Sequence, residues 1–201
     1  MFQKKIYTFF SIIFLTLIIA LISLVSIQNS LANKVLRLHV LANSNSTFDQ
    51  ELKLKVKDEV VNYLTPLFKN SSNLTETKKI ISNNINSINN IAQSVVSKYS
   101  NYKTNISLST SSFPTKQYGN ISFPAGDYEA LKIVIGDGEG NNWWCVMFPP
   151  LCFTNSSAGE FDSLSEKKLK DSLSEEEYYM INNYDKPDVK IKFKLLEWLN
   201  S

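Results

Sequence analysis

The sequence has 201 residues, 43% of them hydrophobic and 12% aromatic, which suffices for one domain of ordinary size with a packed core. Its formal net charge is +2, and two of the 21 basic residues precede an uncharged segment at the N-terminus. The other 19 basic residues balance 19 acidic ones, which excludes a general attraction of the remaining chain for nucleic acid or anionic lipid.

The first predicted element is an N-terminal hydrophobic helix. Ile6 to Ile27 is uncharged and long enough as a helix to cross a hydrocarbon core of about 30 Å. Because two lysines precede it and positive residues stay on the cytoplasmic side, we expect residues 33–201 to be exported. Ser30 and Ala32 are small residues at the −3 and −1 positions of a candidate cleavage site, although the apolar run exceeds the usual signal-peptide core of about 7–15 residues. Residues 1–32 are therefore expected to be a signal sequence or a membrane anchor.

A strand and two helices are predicted next. Lys34 to Leu41 alternates and predicts a strand with one buried face, Arg37 and His39 lying on the other face. Apolar residues then recur at helical spacing in Phe48–Phe68 and in Thr75–Tyr99, which predicts a helix over each range.

The second half of the chain is predicted to be mainly extended. Strands are predicted at Tyr102–Thr110, Tyr128–Ile135 and Asn141–Phe148, with a hairpin in the Pro- and Gly-punctuated region 111–126. The segment IGDGEGNN (135–142) is predicted to be a hairpin connection whose glycines take positive φ angles.

The C-terminal part adds further elements. Leu164–Met180 is charged and predicted to be helical, and Val189–Leu195 alternates lysines with apolar residues as a strand or an amphipathic helix. One strand, two helices and several strands predict an α+β fold. We expect a mostly antiparallel sheet with two or more helices packed on it, preceded by the N-terminal hydrophobic helix.

Both cysteines lie in the segment NNWWCVMFPPLCF (141–153). Two cysteines allow one pairing, and an exported pair is expected to oxidise to a Cys145–Cys152 disulfide. One alternative is a thiol hydrolase in which a cysteine is the nucleophile and His39, the sole histidine, is the base. Another is a zinc site formed by the same three residues. Oxidation of the pair would remove the thiolate that both alternatives require.

The two adjacent tryptophans of that segment should point to opposite faces of a strand. One of Trp143 and Trp144 is expected to fill the core, and the other is a candidate anchor for a partner. If layers cover both faces of the sheet, both tryptophans are structural.

The glycine-rich loop resembles two ligand-binding loops superficially. Its three glycines follow a strand, but no helix follows to hold a phosphate at its N-terminus. Asp137, Glu139 and Asn141 alternate like calcium ligands, yet Asn142 stands where glycine is needed and Phe148 where a carboxylate is needed. We therefore expect neither a metal ion nor a cofactor.

A polar group surrounds the predicted strand-to-helix turn. Asn43 and Asp49 are expected to fix this turn through local hydrogen bonds. For Arg37 and His39 two roles stay open: they belong either to the same local network or to an anion-binding site at the helix N-terminus.

Three segments carry a family resemblance: LRLHVLANSNSTFDQELKLKVKDEV (36–60), ALKIVIGDGEGNNWWCVMFPPLCF (130–153) and VKIKFKLLEW (189–198). In these segments the chain closely resembles the stage II sporulation protein R family of endospore-forming bacteria. The resemblance extends over essentially the whole exported part and the N-terminal segment, whereas residues 70–119 resemble the family only in pattern.

This resemblance implies a signalling protein that the forespore exports into the space between two membranes. Its implied partner is a membrane-embedded aspartic protease of the mother cell, in the opposing membrane, which processes the precursor of sigma factor E. The chain would then be a ligand and not an enzyme, and it lacks an aspartic-protease Asp-Thr/Ser-Gly motif: its only Asp-Gly pair is Asp137-Gly138. The membrane is a further partner if the N-terminal segment is retained, and no nucleic-acid partner is implied.

Six residues are expected to face the receptor, on the Arg37–Asp49 turn and the Gly136–Phe153 segment: Arg37, His39, Asp137, Asn141, Trp143 and Trp144. The thiol hydrolase remains an alternative, as does a passive exported domain tethered to the membrane.

Overall fold

A computed structural model describes residues 2–68, 71–152 and 163–183. The described helices are α1 (Phe2–Asn33), α2 (Thr47–Phe68), α3 (Leu74–Ser97), α4 (Ser163–Ser172) and α5 (Glu175–Asn183). The described strands are β1 (Leu36–Leu41), β2 (Thr104–Phe113), β3 (Lys116–Tyr118), β4 (Ile121–Phe123), β5 (Gly126–Ile135) and β6 (Asn142–Phe148). The fold is α+β with an N-terminal apolar helix, as the sequence predicts.

A four-stranded sheet in the order β2-β5-β1-β6 forms the centre of the fold. β1 pairs with β5 in parallel and with β6 in antiparallel, and β2 pairs with β5 in antiparallel. The predicted hairpin between β5 and β6 is therefore wrong, because β1 lies between these two strands. The alternation of residues identifies a strand but not the strands beside it. The sequence predicts that β1 is buried on one face, but it is buried on both, and this burial suits a central position in the sheet.

Helices α2 and α3 cover one side of this sheet, which we call the helix face. Leu52, Val56, Val60 and Leu64 follow one another at four-residue spacing on α2 and are buried against β1 and β5. Both helices begin at a polar cap: the Ser46 Oγ accepts from the Asp49 N–H, and Asn73 accepts from the Glu76 N–H. The two helices predicted here are confirmed.

A second layer covers much of the other side, which we call the arginine face because Arg37 lies on it. The β3–β4 hairpin, the end of α1, α4 and α5 contribute to this layer. Its core residues include Leu31, Val35, Phe113, Phe123, Tyr128, Val146, Leu169 and Ile181.

The predicted helix over Leu164–Met180 is two helices, α4 and α5, separated at Leu173 and Ser174. Ser174 and Glu177 form a reciprocal capping box, because the Glu177 N–H donates to the Ser174 Oγ at 3.3 Å and the Ser174 N–H to the Glu177 Oε2 at 2.7 Å. This cap begins α5. The strand or helix predicted at Val189–Leu195 lies outside the described residues.

The last turn of α1 packs into the domain. Leu31 is fully buried in the core of the arginine face. The buried Glu177 carboxylate accepts from the Ser30 Oγ at 2.7 Å and pairs with the Lys34 Nζ at 2.8 Å, and the Gln28 side chain donates to the Ala125 carbonyl. The helical stretch Lys5–Asn33 is long and apolar enough to cross a membrane.

Candidate functional site

The glycine-rich loop between β5 and β6 passes over the end of β1 and binds the β1–α2 turn. The Glu139 and Gly140 N–H groups donate to the carbonyls of Asn43 and Ala42, at 3.2 and 2.9 Å. The Asp137 N–H donates to the Asn43 Oδ1 at 3.0 Å. These bonds hold the loop against the β1–α2 turn, so the loop is an ordered part of the fold and not the free end of a hairpin.

Glycine is required where the loop approaches the turn. Gly136 has a φ of +60°, and a Cβ there would collide with the Asn43 side chain. A Cβ on Gly140 would collide with the backbone carbonyl of Ser44. The positive φ angles predicted for this loop are confirmed at Gly136 and Gly138.

Asn43 and Asp49 form the local network that the sequence predicts. The Asp49 carboxylate accepts from the Ser44 Oγ at 2.6 Å and from the Asn43 Nδ2 at 3.1 Å. Burial raises the pKa of Asp49, but the hydrogen bonds from Ser44 and Asn43 outweigh it and hold this pKa below its usual value. The buried Lys53 ties the network to the loop by donating to the Asn141 carbonyl at 2.8 Å.

Arg37 does not join this network, because its side chain points to the arginine face. It is fully buried, with its guanidinium carbon 4.1 Å from the ring centre of Phe113 and 4.8 Å from that of Tyr128. The Nη2 donates to the Tyr118 hydroxyl at 2.8 Å, and that hydroxyl donates to the Trp144 carbonyl at 3.2 Å. Burial lowers the pKa of Arg37.

His39 lies beside Arg37 on the same face. Its ring stacks on Trp144 with centroids 6.2 Å apart and contacts Phe113 at 5.4 Å. Burial lowers the pKa of His39, and the charges of Lys132 and Arg37 add to this. Asn142 lies near enough to raise this pKa, although the two side chains do not meet hydrogen-bonding geometry. The expected cluster of Arg37 and His39 with Asn43 and Asp49 is therefore wrong.

The two tryptophans point to opposite faces, as a strand requires. Trp143 is 37% exposed on the edge of the helix face, where the Lys57 Nζ lies 4.6 Å from its ring centre. Trp144 is partly buried on the arginine face, with the Lys116 Nζ 4.4 Å from its ring centre. Trp143 is thus the more exposed of the two rings.

Cys145 and Cys152 form the predicted disulfide, with an S–S distance of 2.03 Å. Cys145 belongs to the core of the helix face, whereas His39 lies on the arginine face, so the sheet separates the two side chains. The arrangement provides neither a thiolate nor a Cys–His pair. Within the described ranges, no group of three or more His, Cys, Asp and Glu side chains is placed to hold a metal ion.

The six expected receptor-facing residues therefore divide into two groups. Asp137, Asn141 and Trp143 are exposed at the loop and the start of β6. The other three lie on the arginine face: Arg37 and His39, both buried, and Trp144.

Sequence reasoning missed Lys132, Lys116 and Tyr118, which surround the second group. For Lys132 a signal existed, because it has the same parity on its strand as the buried Tyr128 and Ala130. Lys116 and Tyr118 lie in the hairpin, whose packing partner the sequence does not reveal.

Comparisons with known proteins agree with one another. The family model described as Stage II sporulation protein R (spore_II_R) matches residues 32–158. The chain is 37% identical over 181 residues to the stage II sporulation protein R of Bacillus subtilis (strain 168), covering 84% of this chain and 81% of that protein. No solved structure is significantly similar to it.

Proposed function

Because the chain belongs to the stage II sporulation protein R family, we propose that it is an exported signal of endospore formation. It leaves the forespore and activates a membrane-embedded aspartic protease in the opposing membrane, which then processes the precursor of the mother-cell sigma factor E. An activator of this kind must bind the active state of its receptor more tightly than the inactive state.

One observation carries this proposal, namely the extent of the family match. Residues 32–158 contain all six described strands, both helices of the helix face and the glycine-rich loop. The match therefore covers both described sheets and the helices of the helix face, and not an isolated motif. The N-terminal helix supports export, since its length and composition suit a signal sequence or an anchor, and so does the disulfide.

The geometry favours a ligand over the thiol hydrolase. A hydrolase of that kind needs a thiolate within hydrogen-bonding reach of its base. Here both sulfurs are bonded to each other, and the sheet lies between Cys145 and His39.

The exposed part of the glycine-rich loop is the receptor-facing surface that we propose. Asp137 and Asn141 are exposed there, and Trp143 follows at the start of β6. Hydrogen bonds to Asn43 and Asn45 hold the loop backbone at Asp137 and Asn141 before any partner arrives. A surface that is already ordered loses little conformational entropy on binding, which favours affinity.

The test is co-expression of this chain with the protease and the sigma factor precursor in a non-sporulating host, scored by precursor cleavage. Cleavage is expected only when all three proteins are present. Asp137→Ala, Asn141→Ala and Trp143→Ala are each expected to reduce it. Tyr179→Ala removes an aromatic ring on α5 that is more exposed than that of Trp143, and it is expected to leave cleavage unchanged.

Two results would contradict the proposal at different levels. If the unaltered chain never promotes cleavage, it is not the activator. If it does, and the three loop variants stay folded and fully active, the surface lies elsewhere on the domain.

A further inference from the structure

Buried polar atoms without a hydrogen-bonding partner are concentrated on one side of the sheet. In the ranges 2–68, 71–152 and 163–183 there are eight such side-chain atoms, and seven of them belong to the arginine face. They are the Arg37 Nε and Nη1, both ring nitrogens of His39, the Ser111 Oγ, the Asn142 Oδ1 and the Trp144 Nε1. Folded proteins pair most of their buried polar groups, so a local concentration of unpaired ones calls for an explanation.

The atoms of this cluster are mainly hydrogen-bond donors, and one of the side chains carries a fixed charge. Arg37 is fully buried, and Tyr118 satisfies only its Nη2. Phe113 and Tyr128 offset part of the desolvation cost through cation–π contacts, each worth about 2 kcal/mol when desolvated. Removing a guanidinium from water costs several kcal/mol without an anion beside it, so the aromatic contacts do not replace a counter-ion.

The surroundings of the cluster are also positive. Lys132 lies beside His39 in the neighbouring strand, and Lys116 lies over the Trp144 ring. Glu177 is the buried carboxylate that the described part of this layer contains, and Ser30 and Lys34 already engage it. The face therefore complements a negative group that reaches it from outside the described chain.

From this arrangement we infer that the arginine face is a binding site for a carboxylate side chain on an acidic segment of a protein partner. Lys132 and Lys116, which are partly exposed, attract the segment. The β3–β4 hairpin, which covers Arg37, must move from the sheet before the carboxylate reaches the buried donors of Arg37, His39 and Trp144. The identification of that partner with the protease rests on the function proposed above. The binding of an acidic segment as such does not depend on that function.

The position of the site favours a protein over a lipid headgroup. Lys34 directly follows α1, and at most about 17 Å of extended chain separates it from His39. The donors are covered by the protein layer of the arginine face and not by lipid-facing residues of α1. The partly exposed ring of Trp144, which stacks on the buried His39, also offers a surface against which a peptide can pack.

The sole histidine of the sequence makes direct observation feasible. The full chain, labelled with ¹³C on its histidine ring, would be placed in phosphatidylcholine nanodiscs and observed by NMR. It would be titrated with hexaglutamate or hexaglutamine peptides whose termini are blocked, or with inorganic phosphate. Hexaglutamate is expected to shift the His39 signal, and hexaglutamine is not. An unmoved signal would mean that water alone satisfies these donors, and an equal shift with phosphate would mean a general anion site; either result overturns the inference.

Charge reversal supplies the matched pair of variants. Lys132→Glu is expected to weaken hexaglutamate binding about tenfold or more. Lys79→Glu makes the same change on the exposed side of α3 and is expected to have no effect. Circular dichroism checks folding, and Lys132→Gln replaces the reversal if that variant unfolds. Equal affinities for the two glutamate variants would overturn the inference.

The co-expression assay then separates the two proposals. If the unaltered chain promotes cleavage and the Lys132→Glu variant does not, the acidic segment belongs to the protease proposed as the partner. If the peptide binds but the unaltered chain promotes no cleavage, the proposed function fails and the binding site stands.

Discussion

The two faces of the central sheet come from alternate residues of the same strands, yet they differ in chemistry. On β1 the helix face has Leu36, Leu38 and Val40, and the arginine face has Arg37 and His39. Leu38 and Arg37 are equally buried. Both faces bury hydrocarbon, which stabilises the fold, but the arginine face also buries a charge, which costs free energy.

Burial alone therefore does not identify a structural residue. A leucine inside the helix face is explained by the contacts it makes. Arg37, which has no anionic partner among the described residues, is explained only in part by its contacts with aromatic rings, and the binding role inferred above would account for the remainder. If the two faces divide stability and partner binding between them, substitutions on each face should change different properties of the protein.

The largest effect on stability is expected on the helix face. Leu38→Ala removes a fully buried side chain from the layer between the sheet and α2. The free energy of unfolding should fall by about 2–5 kcal/mol, from lost transfer free energy and the cavity that remains. Urea unfolding followed by circular dichroism measures this loss. A change below about 1 kcal/mol would show that this face is not the stabilising one.

The disulfide is expected to come next. Replacing both Cys145 and Cys152 by alanine opens a loop of about eight residues and should lower the free energy of unfolding by about 2–3 kcal/mol. Cleavage of the precursor should persist at a temperature where the variant remains folded, because no thiolate takes part. Abolished cleavage by a fully folded variant would revive the thiol hydrolase.

Arg37→Met should give the opposite combination of results. Methionine fills a similar volume without the buried charge, so the free energy of unfolding should stay unchanged or rise by up to about 2 kcal/mol. Hexaglutamate binding should nevertheless be lost. Urea unfolding and the peptide titration, run on the same preparation, provide the two readings. A strongly destabilised variant would make Arg37 a structural residue like Leu38.

The smallest expected effect is a pH dependence that belongs to the arginine face alone. The folded-state pKa of His39 lies below its ordinary value of 6.5, because of burial and the charges of Lys132 and Arg37. The unfolded chain therefore binds a proton at His39 more readily than the folded chain does. The free energy of unfolding should fall as the pH drops from 6.5 towards the folded-state pKa, by less than about 1.4 kcal/mol per pH unit. The lowered pKa values of Asp49 and Glu177 act in a more acidic window.

Urea unfolding between pH 7 and pH 5 measures this loss, and His39→Gln should abolish it. A loss that persists unchanged in His39→Gln would assign it to other groups.

The helix face could be predicted from the sequence because its signals are local. The four-residue spacing of Leu52, Val56 and Val60 predicts both a helix and its buried side. The capping residue Ser46 marks where this helix begins. The strand alternation likewise places Arg37 and His39 on the opposite side of β1.

The arginine face could not be predicted, because it depends on contacts between segments that are distant in sequence. Arg37 meets Tyr118 and Phe123 only because the β3–β4 hairpin folds over the sheet. The position of β1 between β5 and β6 could not be predicted either, because the alternation within one strand does not specify which strands lie beside it. A local signal existed for the break between α4 and α5, namely the Ser174–Glu177 capping box, although it lies within an otherwise helical pattern.

The packing of the α1 end into the domain has a consequence for the geometry of signalling. Leu31 lies in the core, and Ser30 shares the buried Glu177 with Lys34, so cleavage after Ala32 would remove two of these contacts. In a chain that keeps α1, the last turn of the helix is packed on the domain, so the domain would be held close to the membrane that contains α1. For the receptor proposed above, this proximity would raise the effective concentration if the two membranes are closely apposed, and would prevent contact if they lie farther apart. The retained helix would thereby make the signal a measure of the distance between two membranes.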